Sequence, residues 1–356
     1  MRVSYYRVDW VMLFAVLALA GGSLFHLYTI TFPGEAYYFF RQTVWMGIGL
    51  GLLFAVFFFK TNFWKKIAYP VYGIVLLALI VVLFKGASIH GAHRWFRIGT
   101  ITFQPSEFAK LALILVLGRL LANKAKIGWK EVGISLGFTF PFLILVAVQP
   151  DLGGAFIFLL LWIGMLFLTE ISLKRFLYIL GMIFLLLSLS YFLFRPYQKM
   201  RILAFLNPES DPLGTGWSIL QSKVTLGSGG LIGKGIWGAV HTQLKFLSQP
   251  FTDFIFASVG EEWGFVGVLI VLGLYGIIIT KGLVISKENR DNFAGLISAG
   301  ITILFFLHVF INVGMTVGIM PVTGIPLPLM SYGGSSTIMF LLGMGILFSL
   351  KRGDQG

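Results

Sequence analysis

The feature that most constrains this chain is a series of long apolar segments that recurs from one end to the other. Each is close to the ~20 residues that an α-helix needs to cross the hydrocarbon core of a bilayer. Only 12% of the residues are charged, against about 25% in soluble domains, which excludes a single water-soluble domain. About ten segments qualify: 10–30, 37–59, 67–84, 107–121, 132–148, 152–169, 176–194, 254–280, 293–313 and 333–350. The sequence therefore predicts an all-α polytopic membrane protein, with residues 1–356 as one transmembrane domain.

Basic residues predict the orientation of these segments, because cytoplasmic loops carry an excess of Lys and Arg. The net charge is +13, and the bases lie mainly at the ends of apolar segments. With a cytoplasmic N-terminus, most of the bases, from Arg2 and Arg7 to Lys351 and Arg352, are inside. The short outer segments then hold Arg41, Lys85, Arg94 and Arg97. Both termini are expected in the cytoplasm, and the segment near the N-terminus is expected to remain uncleaved.

Two outer connections are longer than a simple turn. One runs from Lys85 to Ser106, and the other, over residues 195–252, is expected to carry short amphipathic helices at the membrane interface. The second contains the glycine-rich stretch Gly227–Gly235, which lacks the spacing of a nucleotide-binding loop, so we expect tight turns there. It begins with a basic cluster, Arg195, Lys199 and Arg201, that suits a lipid headgroup or a diphosphate. The chain has no cysteine, which excludes thiol chemistry.

Asp253 is the sharpest candidate for catalysis. It lies where the long outer loop enters an apolar helix, at the boundary with water, where a carboxylate keeps its charge and meets a polar substrate. A general base or a metal ligand would need such a position. The alternative is an N-cap aspartate on the first turn of that helix.

Other charged residues at membrane depth are candidates because charge there is costly. Glu107 and Lys110 are three residues apart on one helix and can pair, with Ser106 as a possible cap of that helix. Arg94 lies beside aromatic residues and suits either a phosphate or interfacial anchoring. Asp151 is the last residue of the break at 149–151, and it either caps the next helix or completes a polar cavity with Lys110.

Three further regions complete the candidate set. Glu261 and Glu262 follow Asp253 by about two helical turns, where Glu261 is either a support or a partner of a base in the loop. Three prolines between Pro321 and Ser336 predict irregular backbone, which must line a cavity or pack inside the protein. His308 and Asn312 share a helix face and are expected to form an interhelical hydrogen bond.

Several motifs, in one order from residue 91 to 336, resemble the SEDS family of cell-shape, elongation, division and sporulation proteins, and its elongation-type members most. The matching stretches are Arg94-Trp95, Gln104–Glu107, Pro150–Gly153, Pro208–Gly214, Gln221–Lys223, Gly227–Gly235, Thr252–Ala257 and Pro321–Ser336. Phe251 replaces a histidine and Gly154 a threonine that are usual in the family, and Trp263 follows the acid pair. The first departure puts an aspartate–histidine relay in doubt.

The resemblance implies a ten-helix peptidoglycan glycosyltransferase that polymerises lipid II at the outer face of the bacterial inner membrane. It implies Asp253 as the essential acid, a divalent cation (Mg²⁺ or Mn²⁺), and a class B penicillin-binding transpeptidase with other elongation-complex membrane proteins as partners. The substrate-binding candidates are Arg94, Gln104, Ser106, Glu107, Lys110, Asp151, Arg201 and Lys223, and the supporting candidates are Glu261, Glu262 and Ser331.

The chemistry expected is inverting transfer from a lipid-linked diphosphate sugar to an acceptor hydroxyl. Asp253 would take the proton, while Arg94, Lys110, Arg201 or a metal would stabilise the departing diphosphate. Two alternatives remain at this stage. A flippase for the same lipid would use Glu107, Lys110 and Asp151 as its path, and a non-catalytic scaffold of the elongation complex would need none of the outer acids.

Overall fold

A computed structural model gives the fold, and it describes residues 8–32, 34–89, 92–99, 101–122, 124, 126–190, 192, 196–210, 214–244 and 246–353. Among the residues discussed above, Arg2, Arg7, Arg195 and Asp211 lie outside this part of the chain.

The described chain is mostly helical. The long helices are α1 (Trp10–Thr31), α2 (Ala36–Phe57), α3 (Thr61–Lys85), α4 (Pro105–Leu121), α5 (Trp129–Val148), α6 (Leu152–Phe167), α7 (Leu173–Ser190), α11 (Ile255–Glu288), α12 (Asn292–Val317) and α13 (Gly334–Gly353). The short elements are β1 (Ala87–Ile89), β2 (Ala92–Ile98), β3 (Ile101–Phe103), α8 (Pro196–Leu206), a 3₁₀ turn (Pro208–Ser210), α9 (Thr215–Ser228) and α10 (Val240–Gln243).

Each of the ten predicted apolar segments coincides with one of the long helices, in the predicted order. Eight of the described helices are long and apolar enough to cross a membrane, which makes this a multi-pass membrane protein. The other two are shorter, since α4 has 17 residues and α6 has 16. The exact number of spans stays a prediction, as does the division into domains.

The connection between α3 and α4 departs from the all-α prediction. It forms a three-stranded antiparallel sheet in the order β1-β2-β3, with Phe96 opposite Phe103. This sheet was not predicted, because strands of three residues are too short to show an alternating pattern. The sheet carries Arg94 on its middle strand and leads into α4.

The beginning of α1 and the end of α13 lie at the same end of the bundle. Asp9 caps α1 by accepting a hydrogen bond from the Met12 backbone N–H at 3.1 Å. Its Oδ2 also lies 2.7 Å from Nζ of Lys351, near the chain's end, and 3.4 Å from Nζ of Lys281. Burial raises the pKa of Asp9, but the bonds from Lys351 and Met12 outweigh it and hold that pKa below its usual value. This contact places the beginning of α1 and the end of α13 on the same side.

The centre of the bundle is formed by α4, α12 and α13, whereas α7 is peripheral. Most residues of α4 are buried, including two of its three charged residues, Glu107 and Lys110. Among the residues of α7, Ile179 is buried and large apolar side chains such as Phe184 are exposed, as expected for lipid contact. The site described below lies against the central helices.

The long outer loop is anchored on a break in α11. Gly264 has φ 68° within that helix. Backbone groups of the loop near Gly233 form hydrogen bonds with helix residues on both sides of this break. Lys234 N–H donates to Glu261 O at 2.9 Å, and Phe265 N–H donates to Gly230 O at 2.9 Å. The glycine-rich stretch is therefore a structural turn, as the sequence predicted, with positive φ at Gly230, Gly233 and Gly235.

Replacing Gly233 tests this anchor. A Cβ at Gly233 would lie 2.2 Å from the Glu262 carbonyl oxygen, in addition to the positive φ of 83°. Gly235 has a similar φ of 78° but open space around its Cβ position. Positive φ alone costs roughly 1–2 kcal/mol per residue. We expect Gly233→Ala to lower the thermal unfolding midpoint of the detergent-purified protein clearly more than Gly235→Ala does. Equal shifts would contradict the close approach of loop and helix.

Candidate active site

Asp253 lies in a turn immediately before α11, at the end of the bundle opposite Asp9. Thr252 N–H and Phe254 N–H both donate to Gln249 O at 3.3 Å, which closes the turn. The N-cap position of α11 is Phe254, and no side chain caps that end. Asp253 is therefore not the helix cap, and the capping alternative is wrong.

Two side chains from elsewhere in the sequence hold this turn by its backbone. Asn312 on α12 donates through Nδ2 to Asp253 O at 2.9 Å and to Ile325 O at 2.8 Å. Ser331 Oγ donates to Thr252 O at 2.6 Å and accepts from Leu327 N–H at 2.8 Å. Both therefore connect the turn to the segment between α12 and α13, which agrees with the supporting role expected of Ser331.

The segment from Pro321 to Gly333 is extended backbone packed within the protein, as its prolines predicted. Side chains from several helices satisfy its polar groups, which a chain inside a membrane protein requires. Tyr275 Oη donates to Pro328 O at 2.8 Å, and Ser23 Oγ donates to Met330 O at 2.8 Å. Asp253 Oδ2 would lie 3.5 Å from a Cβ placed on Gly324, so the carboxylate faces this segment.

The electrostatic surroundings of Asp253 favour a group that exchanges a proton near neutrality. Burial, with a smaller contribution from the negative charge of Asp151, raises the pKa of Asp253 to about 6 against the positive charge of Arg201 and a hydrogen bond from Thr252. Arg201 lies on α8 and is exposed. The structure thus brings Asp253, Arg201 and Asp151 into one electrostatic neighbourhood.

Arg94 and Asp151 lie together at the break between α5 and α6. Arg94 donates through Nε to Gln149 O at 2.6 Å and through Nη2 to Pro150 O. Asp151 caps α6 by accepting from Gly154 N–H at 3.0 Å, and its Oδ2 lies 3.9 Å from Arg94 Nη1. The capping prediction for Asp151 is confirmed, and Arg94 is the cation beside it. The Gly153 backbone next to it packs against Thr323, in the segment that faces Asp253.

Glu107 and Lys110 form the predicted ion pair inside the bundle. Lys110 Nζ lies 2.7 Å from Glu107 Oε1 and 3.2 Å from Nε2 of His308. The other ring nitrogen of His308 lies 3.2 Å from Pro326 O. Through His308, the Glu107–Lys110 pair is therefore linked to the same extended segment that Asn312 holds from one turn further along α12. Lys110 is only 2% exposed, so this ion pair lies inside the bundle and not at its surface.

The remaining candidates at the start of α4 and on α9 have backbone roles in this structure. Helix α4 begins at Pro105 with Gln104 at the N-cap. Ser106 is thus inside the helix and is not its cap, because the helix begins at a proline two residues earlier than we expected. Gln104 N–H donates to Ser335 Oγ at 2.9 Å. Lys223 is exposed, and its Cε would lie 2.1 Å from a Cβ on Gly318, at the carboxyl end of α12, where a cation is favoured.

Glu261 and Glu262 are both buried but face different partners. Glu261 accepts from Lys234 Nζ at 2.9 Å, His241 N–H at 2.9 Å and Thr242 Oγ1 at 2.8 Å, so it holds the outer loop on α11. Glu262 instead meets α1, through His26 and Thr29. Sequence reasoning named both acids as supports. It missed His26, which looked like an isolated histidine in an apolar helix.

Comparisons with known proteins identify the family of this chain. A family model described as "Cell cycle protein", for FtsW, RodA and SpoVE, matches residues 3–355. Peptidoglycan glycosyltransferase MrdB of Escherichia coli is 42% identical over 285 residues, covering 78% of this chain and 76% of that protein. Peptidoglycan glycosyltransferase RodA of Treponema pallidum is 31% identical, covering 96% of this chain and 97% of that protein.

Solved structures share the fold as well. A chain from the structure of a peptidoglycan synthase complex, concerning coordination of polymerization and crosslinking, superposes with a TM-score of 0.87, 33% identity and 99% coverage of both chains. The rod shape determining protein RodA of Thermus thermophilus gives a TM-score of 0.76 with 31% identity over 99% of both chains. This chain therefore belongs to the FtsW/RodA/SpoVE family, the SEDS family that its motifs resemble.

Proposed function

We propose that this protein is an elongation-type peptidoglycan glycosyltransferase that polymerises lipid II on the outer face of the bacterial inner membrane. The observation that carries the proposal is Asp253, which is only partly buried and whose turn is held by Asn312 and Ser331. This reaction class is supported by relatives named peptidoglycan glycosyltransferases and by the similar chain from a peptidoglycan synthase complex.

The orientation follows from the grouping of charges. Asp9, Lys281 and Lys351 lie together at one end, and the Lys65–Asp291 pair, at 2.5 Å, joins the beginnings of α3 and α12. The excess of bases at that end makes it the cytoplasmic side, with both termini there. The end that carries Asp253 and the long loop is then the outer side, where the disaccharide of lipid II is available.

The reaction forms one glycosidic bond and breaks one bond to phosphate. Asp253 takes the proton of the 4-hydroxyl of the acceptor sugar, whose oxygen attacks the anomeric carbon of the lipid-linked donor. The bond from that carbon to the diphosphate oxygen breaks, its electrons stay on the lipid diphosphate, and the configuration inverts. Asp253 then releases the proton to water. A carboxyl group with a pKa of about 6 is well suited to this step, because efficient bases have pKa values near the working pH.

Positive charge must offset the charge that develops on the diphosphate. Arg201 is the cation that acts on Asp253 most directly and is exposed to the outer side. Arg94 donates hydrogen bonds through Nε and Nη2 to backbone carbonyls at the break between α5 and α6. We therefore assign it to shaping the site that binds the lipid-linked donor. Lys110 is bonded to Glu107 and His308, and we assign this buried pair to supporting the segment opposite Asp253. Gln104, Ser106 and Lys223 stay candidate substrate contacts.

A divalent cation, Mg²⁺ or Mn²⁺, is part of the proposal. Among the described residues, no three or more His, Asp or Glu side chains gather as a ready-made site. A cation of this kind often binds through one or two carboxylates and the phosphates of the substrate. Asp253 and Asp151, whose charges interact, fit that smaller set. They would hold the cation together with the diphosphate of lipid II, and the cation would neutralise the leaving group.

A class B penicillin-binding transpeptidase is the proposed main partner. The solved neighbour with a TM-score of 0.87 comes from a complex described by both polymerization and crosslinking. Because the glycan strand made here needs crosslinking, a transpeptidase beside it fits the chemistry. Other membrane proteins of the elongation complex are expected to join this pair.

Substituting Asp253 tests the base. We expect Asp253→Asn to reduce the polymerisation rate by about 10²–10⁴-fold, because a positioned base contributes that much. The assay uses purified protein with its transpeptidase, labelled lipid II and a Mn²⁺ or Mg²⁺ series. Glu288→Gln is the matched control, since Glu288 is exposed at the other end of the same helix. Normal glycan from Asp253→Asn would reject the assignment, and lipid II transport without polymer would favour a flippase.

The pH profile tests the role of Arg201. Asp253 must be deprotonated to act, so kcat/KM should fall about tenfold per pH unit below a pH of about 6. Arg201 lowers the pKa of Asp253, so Arg201→Gln should raise that pKa and move the acidic limb to higher pH. Lys287→Gln, at the far end of α11, should leave the limb in place. An unmoved limb in Arg201→Gln would show that the two charges do not interact.

A further inference from the structure

A buried chain of polar side chains joins α1 to α11 just behind the Asp253 turn. His26 Nδ1 lies 2.6 Å from Glu262 Oε2, and His26 Nε2 lies 2.8 Å from Ser258 Oγ. Thr29 Oγ1 donates to the same Glu262 oxygen at 2.8 Å. All four side chains are at most 1% exposed, and nothing in the mechanism above uses this group.

The chain ends on the backbone of the turn that carries Asp253. Ser258 lies in the second turn of α11, and its Oγ approaches Ile255 O at 2.8 Å and Pro250 O at 3.4 Å. Pro250 belongs to the turn closed by Gln249 and Phe254. His26 follows Asp9 by 17 residues, which is about 25 Å along a helix, so it lies toward the Asp253 end of the bundle. Helix α1 thus reaches the active turn through one serine hydroxyl.

With Glu262 ionised, the count of protons allows two arrangements of this chain. In the first, Ser258 O–H donates to His26 Nε2, and His26 Nδ1–H donates to the Glu262 carboxylate. In the second, the doubly protonated ring of His26 donates to both neighbours, and Ser258 O–H donates to a carbonyl of Ile255 or Pro250. A neutral ring has one N–H, so it cannot donate both ways at once. The direction of the Ser258 hydroxyl is therefore set by His26.

The cost of this arrangement argues against a purely stabilising role. A buried histidine–glutamate pair loses hydration that its mutual attraction offsets only in part. Within the described part of the chain, Glu262 Oε1 is buried without a hydrogen-bond partner, which adds to that cost. A well-packed apolar contact between α1 and α11 would hold the helices together at lower cost.

We propose that His26 is a positioning residue that fixes the Asp253 turn through Ser258, with Glu262 and Thr29 setting the orientation of its ring. In the second arrangement, Asn312, Ser331 and Ser258 hold the turn at three of its carbonyls, those of Asp253, Thr252 and Pro250. This inference rests on the proposed function, because it concerns the placement of the base for glycosyl transfer.

The experiment compares kcat and KM for lipid II polymerisation by the full chain with its transpeptidase. Ser258→Ala removes the hydroxyl with little change in volume. His26→Asn keeps an amide for Glu262 but does not reach Ser258. Ser135→Ala is the matched control, because Ser135 is also buried and accepts a bond from Trp162 Nε1 at 2.9 Å, between α5 and α6. Thermal unfolding of each variant monitors folding.

We expect Ser258→Ala and His26→Asn each to lower kcat by about tenfold or more, since small misplacements of a catalytic group are costly. KM should change less than twofold, and the double variant should be no slower than the slower single variant, because both break the same link. Ser135→Ala should keep the wild-type kcat. If His26→Asn fails to fold, kcat and KM of Ser258→Ala decide the question.

Two results would overturn the inference while leaving the proposed function intact. One is an active wild-type protein whose kcat is unchanged by Ser258→Ala. The other is a double variant in which the two losses multiply, since the side chains would then act independently. A wild-type complex that makes no polymer would instead overturn the proposed function, and this inference with it.

Discussion

The side-chain amide of Asn312 is the contact on which the site depends. It donates at once to Asp253 O and Ile325 O, and so joins the outer turn before α11 to the extended segment before α13. These are two pieces of irregular backbone, which a membrane protein tolerates only where other groups satisfy their carbonyls. Asn312 does this from α12, in the centre of the bundle. The position of the Asp253 carboxylate follows from the position of that helix.

Fixing the turn by its backbone leaves the carboxylate of Asp253 available for chemistry. The same packing partly buries it, which raises its pKa to about 6, while exposed Arg201 keeps the carboxylate charged near neutral pH. Beneath it, the Glu107–Lys110 pair and His308 support the other face of the extended segment. A partly buried base, on backbone that neighbouring helices hold in place, is suited to proton transfer at the membrane surface.

The sequence predicted the ten long helices because apolar length is a strong signal, and it named Asp253 because few acids lie at the membrane boundary. It misjudged Ser106 as a cap, since that helix begins at Pro105, two residues earlier than predicted. It did not foresee the small β-sheet, whose strands are too short for a pattern, or the link from His26 to Glu262. That link joins residues 236 positions apart, and periodicity within one helix carries no information about such a partner.

The most direct test of the account is an infrared titration of the Asp253 carboxyl group in the membrane-embedded protein, using the difference between wild type and Asp253→Asn. The account predicts a protonated-carboxyl band that disappears with a midpoint near pH 6, and a midpoint for the polymerisation rate at the same pH. A carboxyl group that titrates near pH 4, or a rate whose midpoint differs from that of the band, would contradict the claim that Asp253 is the base.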